Sequence, residues 1–241
     1  MKKVLLIAAL LGLAGLSGPS FAEPTLYPVR IDLQNKASLQ RGAQIFVNYC
    51  VSCHSAAYMR YNRMGKDLGI PNSVLTHEMM FARKHPYKHM RAAMPAADAK
   101  SWFGVPPPDL TLEARVRGSR WLYSYLLSFY RDKQSPSGWN NLVYPHVAMP
   151  DVLYGLSGVQ VPVYRTVHGK KVFDHFEIVR KGRMTPAQYR EAMHDLVNFM
   201  VYMGEPAKLV RYRMGLYVLL FLALFGVVAY LLKREYWKDV H

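Results

Sequence analysis

Cysteine is nearly missing from this 241-residue sequence: only Cys50 and Cys53 occur, two residues apart. A disulfide scaffold is excluded, and one bridge across so short a loop would remove little chain entropy. The pair needs another explanation. Acidic residues are scarce too, 16 against 31 lysines and arginines, with no acidic run, so the formal charge is +15. Two of those charges, Lys2 and Lys3, lie in a segment expected to be removed. There is no detectable repeat and no low-complexity linker. With 51% hydrophobic and 20% charged residues the chain is an ordinary folded one, with one sizeable core and appendages. A basic balance suits nucleic acid, an anionic membrane surface or an acidic partner protein.

The ends of the chain choose among these. Met1-Lys2-Lys3 is followed by an apolar run from Val4 to Leu16 and then Ser20-Phe21-Ala22. A positive start, an apolar stretch too short to span and small residues at −3 and −1 make a secretory signal peptide over 1–22. Export removes nucleic acid from the candidate partners. Near the other end, 215–232 is an uncharged run of 18 residues. As a helix it covers about 27 Å, close to the ~30 Å hydrocarbon thickness. Basic residues lie on both sides, and Tyr217, Tyr230, Tyr236 and Trp237 sit near the interfaces. A transmembrane helix is expected there, with a domain over 23–210 exported to the periplasm and a cytoplasmic tail over 233–241.

Between these ends the periodicity predicts mostly helix. Leu39, Ala43, Phe46, Tyr49, Cys50 and Cys53 form an apolar stripe, with Ser38 as N-cap, on a helix over 38–54. Residues 55–118 read as short helices and loops. Ser119 caps a second expected helix whose buried face is Trp121, Leu122, Tyr125, Leu126 and Phe129. Val161–Val167 and Lys171–Ile178 flank His168-Gly169, a hairpin pattern. Thr185-Pro186-Ala187-Gln188 is a capping-box start for a helix over 186–203, with Tyr189, Met193, Leu196, Val197 and Met200 on one face.

Cys50-Val51-Ser52-Cys53-His54 is a C-x-x-C-H pattern. Two thiols at this spacing add across the two vinyl groups of one porphyrin, and the adjacent histidine becomes the proximal iron ligand. The rival is a thioredoxin-like thiol pair, which would follow a strand and open a helix; here the pair closes one. One covalent haem c is expected. For the sixth ligand, Met149 and Met94, each before a proline, are the leading candidates, and His146 and His168 stay open. Most of the 13 methionines are expected to fill the core.

Four ordered stretches resemble the cytochrome c1 family, the haem subunits of quinol:cytochrome c reductases. They are Arg41-Gly42 through Cys-Val-Ser-Cys-His to Tyr58-Met59-Arg60-Tyr61, then Pro107-Pro108-Asp109-Leu110-Thr111 with Arg115 and Arg117. The loop ending in Met149 follows, and then Met203-Gly204-Glu205-Pro206 with Arg213-Met214-Gly215-Leu216. The resemblance implies a mainly α, class I cytochrome c-like haem domain with loop and hairpin insertions on one C-terminal transmembrane helix. It implies His54 and Met149 as axial ligands, Pro108 against the ring, Arg117 at a haem propionate and Tyr123 nearby. A solvated basic stretch would equally explain Arg117, and core packing Tyr123. Implied partners are cytochrome b and Rieske iron–sulfur subunits and a cytochrome c acceptor, in a dimeric complex at the cell inner membrane. No catalysis by this chain alone is expected. Mitochondrial members carry acidic surface; this basic chain calls for an acceptor with an acidic or mainly apolar docking face. The hairpin at 160–178 has no place in the family pattern.

Overall fold

A computed structural model describes residues 26–81 and 85–239. The signal peptide expected over 1–22 lies outside them. The elements, in order, begin with α1 (Lys36–Tyr49), β1 (Ala56–Arg60), α2 (Tyr61–Leu68), α3 (Asn72–Glu78), β2 (His89–Met90) and α4 (Ala96–Phe103). There follow α5 (Glu113–Val116), α6 (Ser119–Leu127), β3 (Phe129–Arg131), β4 (Trp139–Asn141), α7 (Tyr154–Ser157), β5 (Gly158–Val167) and β6 (Lys170–Lys181). Two long helices, α8 (Pro186–Gly204) and α9 (Lys208–Tyr236), complete the chain.

The crossing of α1 and α8 organises the core. Leu39, Gly42, Ala43 and Phe46 recur at i, i+3, i+4 and i+7, so one face of α1 is apolar and buried. At Gly42 the helices touch: a Cβ there would lie 2.0 Å from the Asp195 carbonyl oxygen. Beside this point Phe46 and Phe199 rings sit 5.6 Å apart. Leu39, Phe46, Leu196 and Phe199 are fully buried, each contributing about 1.5–3 kcal/mol. Buried Asp195 is satisfied by the Ser38 hydroxyl at 2.5 Å and by Arg41 Nε at 2.6 Å. Asn198 donates to Ser38 Oγ at 3.0 Å and to the Asp32 carbonyl at 2.8 Å. This polar knot sets the rotation and register of the two helices, which apolar contacts alone leave loosely specified.

Cap positions differ from expectation. Asn35, not Ser38, caps α1, accepting from the Ser38 backbone N–H at 3.1 Å, because the Ser38 hydroxyl is taken by Asp195. Gly118 takes the N-cap position of α6 with no side-chain cap bond, so Ser119 is its first residue. The capping box at Thr185 and Gln188 is present. Met59, Met64, Met79, Met80, Met90, Met193, Met200 and Met203 are buried, so methionine fills the irregular space between short elements.

Three two-stranded antiparallel sheets decorate this core: β1–β2, β3–β4 and β5–β6. The β5–β6 hairpin is longer at both ends than its sequence pattern predicts. Its turn is His168 (φ 49) and Gly169 (φ 75), both left-handed as a type I′ turn requires. Helix α9 leaves the domain, and its segment Met214–Tyr236 has none of its length buried in the protein. Twenty-three residues of helix span about 34 Å. So long an apolar surface is stable only in lipid, and the protein is membrane-anchored.

Candidate haem site

After α1 ends at Tyr49 the chain keeps turning. Cys50 and Val51 N–H donate to the Phe46 carbonyl at 2.9 and 3.1 Å, and Cys53 and His54 N–H donate to the Cys50 carbonyl at 3.1 and 2.8 Å. Both cysteines are half-buried free thiols, while Val51 points into the core. Burial first, and then the neighbouring Cys53, pushes the Cys50 thiol up to about 12. A disulfide-exchange cysteine needs the opposite shift. Cys50 is thus not activated as a thiolate, and the pair closes α1 where a thiol-redox pair would open a helix.

His54 is buried, and its Nδ1 lies 2.8 Å from the Pro108 carbonyl. A carbonyl only accepts, so Nδ1 carries the proton and Nε2 keeps its lone pair for a metal. Burial lowers the His54 pKa, opposed by the Pro108 bond, and favours the neutral imidazole that ligates iron. The segment supplying that carbonyl is strapped to the attachment loop. Leu110 N–H donates to the Ser55 carbonyl at 2.8 Å, and Ala57 N–H to Asp109 Oδ2 at 2.8 Å. The Asp109 carboxylate also takes the Thr111 N–H at 2.9 Å. Pro108 itself is exposed at its ring. Two thiols, a tautomer-locked imidazole and a supporting carbonyl fit a covalently attached haem.

Met149 lies in the loop after β4, which two buried asparagines shape. Asn141 Oδ1 accepts the Val143 and Tyr144 N–H groups at 2.9 and 3.1 Å, and its amide donates to the Tyr125 carbonyl at 2.8 Å. Asn140 Oδ1 accepts the His146 N–H at 2.9 Å. The Tyr125 hydroxyl donates to Met149 Sδ at 3.5 Å. Behind Tyr125 runs a layered series. Trp121 stacks on it at 5.0 Å and 10°, and the Arg117 guanidinium lies 4.5 Å from the Trp121 ring centroid. Arg117 is also held by Glu113 at 3.0 Å. Two residues past Met149, burial raises the Asp151 carboxyl to about 6.

His146 shares the Met149 loop, and the other candidates lie on separate segments. Met94 has its backbone N–H on the Ser52 carbonyl at 3.1 Å, within the attachment loop. Tyr123 is about 200° around α6 from Tyr125, and its hydroxyl donates to the Arg190 carbonyl of α8 at 3.3 Å. His168 sits at the hairpin tip, far along the chain from the cysteine loop. Arg115 pairs with Glu205 at 3.7 Å. Tyr125, Trp121 and the Asn140-Asn141 pair were not singled out as site residues from sequence. The spacing 117, 121, 125 and 129 was the available signal.

A helix crossing, a C-x-x-C-H turn with a metal-ready histidine, and one unburied apolar helix define a membrane-tethered c-type cytochrome. The profile of the Cytochrome C1 family matches residues 30–240. The chain is 48% identical over 219 residues to the cytochrome c1 of Allochromatium vinosum, covering 90% of each. It is 44% identical over 243 residues, the full chain and 99% of the relative, to the ammonia monooxygenase gamma subunit of Nitrosomonas europaea. A cytochrome c1 of Rhodobacter capsulatus is 24% identical across 98% of this chain. The chain belongs to the cytochrome c1 family. It is thus an electron-transport cytochrome of the bc1 complex with one covalent haem c and with cytochrome b and Rieske partners.

Proposed function

We propose that this chain takes single electrons from the Rieske iron–sulfur subunit and hands them to a cytochrome c outside the inner membrane. Haem c, bound through Cys50 and Cys53, supplies a one-electron ferric/ferrous couple. The residues of the chain hold it and tune it. His54 would hold the iron through Nε2, because Pro108 occupies Nδ1, and Met149 would hold it through Sδ, pinned by the Tyr125 hydroxyl. Met94, whose backbone N–H is bonded to the Ser52 carbonyl of the attachment turn, is the alternative. Arg117, which lies over the Trp121 and Tyr144 rings, is the proposed partner of a propionate, and Pro108 would complete the surroundings. The observation that carries the reading is the locked His54 tautomer directly after two free thiols.

The domain at 23–210 is proposed to face the periplasm, with 233–241 in the cytoplasm and the complex dimeric. The Nitrosomonas relative is named as a monooxygenase subunit. Imidazole and thioether together would fill both axial positions and leave no site for oxygen, which favours transfer over oxygenation here. The test is a reduced-minus-oxidised spectrum of Met149→Leu beside the parent protein. Loss of the low-spin signal assigns the ligand; an unchanged spectrum sends the assignment to Met94.

A further inference from the structure

The β5–β6 hairpin is the largest feature that the haem site does not use. Its root is tied to both halves of that site. Gln160 Nε2 donates to the Leu127 and Phe129 carbonyls at 3.0 and 2.7 Å, at the end of the helix that carries Tyr125. Arg183, just beyond β6, donates to the Tyr49 hydroxyl at 2.9 Å, one residue before Cys50. The root therefore lies beside Tyr49, the sequence neighbour of Cys50, and beside the end of the helix that carries Tyr125.

The hairpin's outer part carries an aromatic face. Its register shifts between Val163 and Tyr164, which pair with His175 and Phe173, so Asp174 is the extra residue of a bulge. A bulge shifts the alternation by one, and Phe173 and Phe176 consequently point to the same side. Their rings lie 4.9 Å apart. Tyr164 joins Phe173 at 6.4 Å, and Tyr130 of β3 joins Phe176 at 6.4 Å. A row of four rings thus runs from β3 outward, half-buried except for exposed Tyr164. Exposed Arg165, Lys170, Lys171, Arg180 and Lys181 lie along the same two strands against two carboxylates, Asp174 and Glu177. Asp174 is already engaged by Arg165 at 3.5 Å and His175 at 2.8 Å.

An aromatic strip with a basic surround has the composition of a transient docking surface, where rings supply contact and charges supply steering. We infer that the outer face of this hairpin docks the soluble electron acceptor, a small redox protein with an acidic docking face. The inference rests on the electron-carrier reading and identifies the partner of that site. Acidic surface is what five cations against two carboxylates on one arm select, because opposite potentials raise the encounter rate and like charges suppress it.

The experiment uses the full chain in detergent, reduced with ascorbate and mixed with an acidic or a basic c-type cytochrome at several ionic strengths. The acidic acceptor is expected to react faster at low salt and to slow as salt rises. Lys170→Glu combined with Lys171→Glu lowers that second-order rate about tenfold at low salt and flattens its salt dependence. Tyr164→Ala slows it at all ionic strengths. Oxidation by ferricyanide and the haem spectrum stay as in the parent. Unaltered transfer in these variants overturns the docking role, as does faster reaction with the basic protein. Loss of cytochrome b or Rieske protein from the purified complex, with acceptor rates kept, overturns it by making the face a subunit contact. A colourless parent protein overturns the carrier reading beneath it.

Discussion

At the scale of single residues, hydrogen-bond chemistry assigns roles that spacing leaves open. The Pro108 carbonyl decides which His54 nitrogen faces a metal, although Pro108 itself offers no donor. The Tyr125 hydroxyl draws electron density from Met149 Sδ and so favours the reduced state of iron bound there. Tyr125→Phe should keep the absorption spectrum and lower the reduction potential by roughly 40 mV. That is the equivalent of one net hydrogen bond of about 1 kcal/mol for a one-electron couple. Spectroelectrochemical titration measures it, and an unchanged midpoint would remove Tyr125 from the site. Tyr123→Phe breaks only a contact with the Arg190 carbonyl and should leave the potential where it is.

Among elements, the contact between α1 and α8 carries the site, because α1 ends on the cysteines. Gly42 is required there by approach distance, not by backbone dihedral, since an added Cβ would meet the Asp195 carbonyl at 2.0 Å. Gly42→Ala must push the helices apart, an overpacking cost of about 1–3 kcal/mol. That is a melting-point loss of roughly 2–12 °C for a domain of this size. Asp195→Ala leaves the buried Ser38 hydroxyl without its acceptor, while half-exposed Arg41 keeps Glu191 nearby, and should cost about 1–3 kcal/mol. Calorimetry of the haem-loaded protein measures both losses. A melting point within a degree of the parent for both would mean that the crossing does not hold the domain together.

For the whole molecule, the division is between a packed domain and an apolar helical segment that leaves it. Because Met214–Tyr236 has none of its length buried in the protein, the haem domain draws no core contacts from it. A chain ending at Arg213 is expected to partition into the aqueous phase with an unaltered haem spectrum and melting point. The intact chain should require detergent. Phase separation in a cloud-point detergent reads the difference, and a truncated chain that stays with the detergent would mean another surface holds the membrane.

The sequence determined whatever depends on local chemistry. The Cys50–His54 motif, the period of α1 and α8, the Thr185 capping box, the His168-Gly169 turn and the apolar run near the C-terminus were all legible, because each is specified within a few neighbouring residues. Tertiary structure decided what depends on groups distant in the chain. Ser38 reads as a cap until Asp195, 157 residues later, claims its hydroxyl. Asn140 and Asn141 read as loop residues until their buried amides fold the Met149 segment. Tyr125 reads as a core aromatic until that segment returns Met149 to it. Short-range propensity places these side chains on an element, but only packing selects the partner that satisfies each polar atom once water is excluded.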